Sequence, residues 1–163
     1  TIVKAQLKLH MSKSIAGSQP VAVHRLLLDW GEGASNASGQ EGRGAPAEPG
    51  DATWLHTFCC DQYWSEQGQP SGGVFAVTPS GSTAVGGVGN YVWDDGGLVD
   101  DVQYWLNHPD RNYGWILVGN EDISTTAKRF DSLQNPSAQM RPELVIDYFI
   151  PESTVFLPMI LAN

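Results

Sequence analysis

Residues 2–11 alternate in character: Val3, Ala5, Leu7, Leu9 and Met11 fall on one side, and Lys4, Gln6, Lys8 and His10 on the other. A period of two over this length predicts a half-buried strand. A second strand is expected over Val21 to Trp30, after a Ser-Gln-Pro turn. Its run Leu26-Leu27-Leu28 implies either fuller burial or a bulge. Gly31 to Asp51 is rich in Gly, Ala, Ser, Asn and Pro and lacks periodicity, so it reads as a long surface loop. Further strands are expected at 53–58, 74–77, 88–93, 114–118, 126–130 and 143–149, punctuated by Pro79 and glycines 81, 86, 87 and 89. One short helix is expected over about Val99 to Asn107. Asp100 and Asp101 would sit in its first turn, where the helix dipole favours negative charge. Val102, Trp105 and Leu106 would share a face, and Pro109 would prevent much continuation.

Many short strands, one helix and no βα alternation predict an all-β fold, an antiparallel β-sandwich or jelly roll with one short helix. Residues 1–150 are read as that domain. Residues 151–163 are read as an apolar C-terminal tail, an extra strand or one donated to another chain. Val155, Phe156, Leu157, Ile160 and Leu161 are its candidate assembly residues.

The ordered pieces resemble those of the DNRLRE-type domain, an extracellular β-sandwich module of bacteria and archaea related to polysaccharide-binding modules. They are Ile2-Val3-Lys4-Ala5-Gln6-Leu7-Lys8-Leu9, Trp30-Gly31-Glu32, Ala52-Thr53-Trp54, Trp64 with Gly72-Gly73, and Val102-Gln103-Tyr104-Trp105. Asn112-Tyr113-Gly114-Trp115-Ile116-Leu117, Phe130-Asp131-Ser132 and Arg141-Pro142-Glu143-Leu144-Val145-Ile146-Asp147-Tyr148 close the set. The resemblance implies a sandwich, a secreted or cell-surface setting and no catalytic apparatus. It also implies strands ahead of the segment with which this sequence opens, to be supplied by a longer precursor or a neighbouring subunit. The sequence departs from the family at Val74 and Gly97, where carboxylates are common.

Acidic residues number 18 against 9 Lys plus Arg, a net charge of −9. That balance argues against nucleic acid and anionic lipid as partners, since both require cationic patches. No apolar run is long enough to insert in a membrane. Gly 18 and Pro 10 fit many turns.

Histidines 10, 24, 56 and 108 form no zinc-ligand pattern, and the Gly-Gly pairs lack the Lys-Ser/Thr ending of a phosphate loop. An enzyme is therefore not expected. Asp94, Asp95, Asp100 and Asp101 place four carboxylates within eight residues, a candidate calcium site set against a solvated acidic turn. Trp54, Trp64, Tyr91 and Trp93 are the candidate sugar-stacking aromatics, each weighed against burial in the core. Adjacent Cys59 and Cys60 leave three readings open: a strained mutual disulfide, bridges to other chains, or two buried thiols.

The sequence thus points to a structural or adhesive extracellular module that meets other copies or segments of the same surface protein. The alternative is a carbohydrate-binding module for a polysaccharide, with calcium as its possible cation.

Overall fold

The computed structural model describes residues 1–37, 44–65, 72–120 and 122–150. Its first strand, β1 (Ile2–Ser14), is the spine of one sheet. On one side it pairs antiparallel with β6 (Gly89–Trp93). On the other it pairs successively with β9 (Glu143–Tyr148) and β8 (Lys128–Phe130). A second sheet runs in the order β5 (Gly81–Val85), β2 (Gln19–Arg25) and β7 (Trp115–Val118). β3 (His56–Phe58) and β4 (Gln62–Tyr63) form a separate hairpin.

The single α-helix among the described residues, α1 (Gly96–Asn107), packs against β1 and sends Leu98, Val102 and Trp105 into the core. There they join Ala5, Leu9 and Met11 of β1, Val21 and Val23 of β2, Val85 of β5 and Trp93 of β6. The Trp93 indole N–H donates to Val21 O at 2.8 Å, a tie between the two larger sheets.

This architecture corrects the expected all-β sandwich or jelly roll. Among the described residues the fold is mixed α/β, with three separate sheets, none of them closed or strongly curled. The helix makes the difference. It contributes three large side chains to the core, so helix-on-sheet packing replaces part of what a second sheet would supply.

Local corrections have local causes. The β1–β9 register shifts between Ile2 and Lys4, which buries Ile2 and leaves Val3 60% exposed, the reverse of strict alternation. β2 ends at Arg25. Of the leucine run only Leu26 is buried, in an isolated bridge to Phe75 where a strand was expected. Pro20 lies inside β2, opposite Ala84 of β5 and beyond the stretch that β7 covers, so its missing N–H breaks no central ladder. β5 itself was not foreseen among its glycines.

The helix starts earlier than expected, at Gly96, so Asp100 and Asp101 fall beyond its first turn. Gly97 sits against the backbone of Ser80, where a Cβ would collide. A carboxylate cannot be accommodated there. Val155, Phe156, Leu157, Ile160 and Leu161 lie outside the described residues.

Candidate functional site

Two features of β9 combine to form an open groove. The strand pairs with β1 on one edge, and among the described residues its other edge has no strand beside it. Its inner-face residues Leu144, Ile146 and Tyr148 oppose Leu7, Ala5 and Ile2 of β1 in register. Ala5 and Ile2 are buried beneath α1, whereas Leu144, Ile146 and Tyr148 lie beyond the helix and are 41%, 37% and 64% exposed. They form one wall of a cavity of about 880 Å³. Trp105 and Leu106 of α1, Trp115, Pro109 and the residues after β9, Phe149 and Ile150, complete it. Thr1 and Phe149 exchange hydrogen bonds of 2.8 Å through their main chains and so extend the ladder by one pair.

The opposite wall is held by a polar knot. Asp101 is buried; its Oδ2 accepts the Trp115 indole N–H at 2.7 Å and the Ser80 hydroxyl, and its Oδ1 pairs with Arg25 Nε at 3.1 Å. The Arg25 guanidinium stacks over the Tyr104 ring at 4.1 Å. Trp115 in turn meets Trp105 edge-on at 4.6 Å. α1 and β7 are thereby locked together, and the Trp105–Trp115 pair is a preformed floor for the groove.

The other expected site residues are scattered. Asp94 Oδ2 accepts from Gln6 Nε2 at 3.2 Å; Asp95 Oδ2 accepts the Ser82 backbone N–H at 3.0 Å; Asp100 is exposed. With Asp101 committed to Arg25, the four carboxylates expected to hold calcium diverge. Among the described residues no group of three or more His, Cys, Asp or Glu side chains could hold a metal ion.

The aromatics part in the same way. Trp93 is fully buried and Trp64 nearly so, with its indole N–H on Thr53 O, so neither offers a ring face to a sugar. The Tyr91 hydroxyl bridges Gly86 N and Gly87 O across the β5–β6 turn. Trp54 alone among the four is widely open, at 65%, with Gly72 against its ring.

Two carboxylates that the sequence did not single out organise loops. Asp51 is buried and accepts the backbone N–H groups of Glu48 at 2.7 Å, Ala34 at 2.9 Å and Ser35 at 3.3 Å. Donation from Glu48, followed by Ser35 and Ala34, holds its carboxyl at about 2, against an ordinary 3.8. Gly33, at φ +70°, passes directly over this carboxylate, so the expected long surface loop is anchored at both ends. A disulfide joins Cys59 to Cys60 at the β3–β4 turn, and the main chain of Cys59 bonds Asp51 O and Gly50 N.

Asp131 pairs with His10 Nδ1 at 2.6 Å. Burial opposes its ionisation, but donation from His10, Ser12 and Asn135 prevails and leaves its carboxyl below the ordinary range. His10 Nδ1 therefore carries the hydrogen. His10, on the polar side of the first strand, thus bridges β1 and the segment after β8.

No family model, curated protein or solved structure matches the chain. No helix among the described residues is long and apolar enough to cross a membrane.

Proposed function

We propose that this chain is a non-catalytic structural or adhesive module of an extracellular surface protein, joined to its partners along β9. The observation that supports this reading is the outer edge of β9, beside which no strand lies among the described residues, next to an apolar groove. An edge strand exposes unpaired N–H and C=O groups, and natural proteins blunt such edges unless they are used. β9 carries Leu144, Ile146 and Tyr148 on its groove face, so an added strand gains both main-chain bonds and apolar burial. The Cys59–Cys60 disulfide suits an oxidising compartment. The net charge of −9 keeps such a module off nucleic acid and anionic lipid.

Sedimentation velocity on the full chain tests the reading. The wild type should self-associate at tens of micromolar, and Leu144→Lys with Ile146→Lys should be monomeric while retaining the wild-type circular dichroism. Identical sedimentation of the two proteins would overturn it.

A second reading, a carbohydrate-binding module, is favoured by the open ring of Trp54. Binding to a polysaccharide array that vanishes in Trp54→Ala is its expected signature.

A further inference from the structure

We infer that the three turns gathered where β1 finishes form a docking surface for a zwitterionic lipid bilayer, which Ile15, Val88 and Ile123 enter at the level of the headgroups.

The ladders bring these turns together. β1 finishes at Ser14, opposite Lys128 of β8, and its pairing with β6 stops at Met11 and Gly89. β2 begins at Gln19, opposite Val85 of β5. The β1–β2 turn (15–18), the β5–β6 turn (86–88) and the β7–β8 loop (119–127) therefore share one end. Gly86 lies against Ser18, and Asn120 Nδ2 donates to Gln19 Oε1 at 2.9 Å. Each turn holds out one branched aliphatic side chain: Ile15 is 81% exposed, Val88 68% and Ile123 55%.

Single exposed aliphatics are ordinary on a protein surface. Three on adjoining turns make a set, and turn chemistry does not call for them, since Gly, Pro, Asn, Asp and Ser are the residues that reverse a chain. Separate tips set among Gly and Ser offer a rigid partner no continuous patch to match. A fluid acyl layer closes around each tip by itself.

Charge selects the lipid. Residues 13–19, 85–89 and 119–128 hold two acidic residues, Glu121 and Asp122, against two cations, Lys13 and Lys128. This end is thus neutral in a chain of net charge −9, whose remaining carboxylates oppose anionic headgroups. Among the described residues the Lys128 ammonium pairs with no carboxylate; it donates to Ser14 Oγ at 3.1 Å, Ala16 O at 3.3 Å and Gly17 O at 2.7 Å. With Val21, Leu117 and Phe130 it lines a cavity of about 560 Å³ at this same end. Apolar walls with one uncompensated cation match an acyl chain and its phosphate.

Co-sedimentation of the full chain with phosphatidylcholine vesicles tests this. The wild type should bind. Ile15→Ser with Val88→Ser and Ile123→Ser should lower the partition coefficient about tenfold or more, and each single substitution about threefold, with wild-type circular dichroism. Val77→Ser changes an aliphatic that is 93% exposed near the opposite end of β2, and should bind as the wild type does. Leu144→Lys with Ile146→Lys should also leave vesicle binding unchanged, which separates this surface from the β9 groove. Absence of wild-type binding, binding that requires phosphatidylserine, binding that the triple variant retains, or an equal loss in Val77→Ser would each overturn the inference. Self-association lost in the triple variant, in place of vesicle binding, would assign the tips to a second copy and overturn it too.

Discussion

Ala5 and Ile146 face each other across the β1–β9 ladder on the same side of the sheet, yet Ala5 is 1% exposed and Ile146 37%. Ala5 belongs to the buried cluster that Leu98, Val102 and Trp105 of α1 help to form, whereas Ile146 lines the open groove. Ala5→Leu should therefore destabilise the chain by about 1–3 kcal/mol through overpacking. Ile146→Lys should cost less than about 1 kcal/mol. Urea denaturation midpoints of the two variants check the contrast, and equal losses would contradict the placement of the core's boundary.

Asp101 meets Arg25, Trp115 and Ser80 together. Asp101→Ala leaves the guanidinium of Arg25 in a largely desolvated position without its counter-charge. The loss expected is about 3 kcal/mol, at the lower end for a broken buried pair because Arg25 retains some contact with water. Removing both charges, as in Arg25→Met with Asp101→Leu, should cost less than Asp101→Ala alone. Denaturant unfolding of the three proteins measures the difference.

Asp51 binds fewer protons folded than unfolded, because its carboxyl falls from the ordinary 3.8 to about 2 in the loop. Its contribution is fully present above about pH 4 and is lost as the pH falls through 2. Asp131 acts in the same direction, since its folded value is also depressed. The backbone N–H signals of Ala34 and Glu48 should shift together in an NMR titration over this acid range. In Asp51→Asn that shared step should disappear, and a step that persists would assign it to another group.

Trp93 and Trp54 should behave as opposites under the same substitution. Trp93→Ala opens a cavity at the junction of the two larger sheets and should cost about 3–5 kcal/mol. Trp54→Ala removes a ring that is 65% exposed, and should cost less than about 1 kcal/mol. Thermal unfolding of both variants, with any polysaccharide binding measured alongside, separates the structural indole from the accessible one.

Much of the chain's local order follows from its sequence alone. The alternation in residues 3–11 reports β1, the spacing of Val102 and Trp105 reports the buried face of α1, and Leu144, Ile146 and Tyr148 share one side of β9 because side chains alternate along any strand. Only the tertiary structure decided what lies over each of those faces. A single bulge exchanged Ile2 for Val3, and a helix joined the second sheet in closing the core. The packed Ser80 backbone excluded a side chain at Gly97. Four neighbouring aspartates diverged, three to unrelated partners and Asp100 to the surface, because α1 begins between them and turns Asp101 inward. Periodicity encodes the direction of a side chain relative to its own backbone. Burial depends on which distant element arrives above it, and at β9 none of the described elements does.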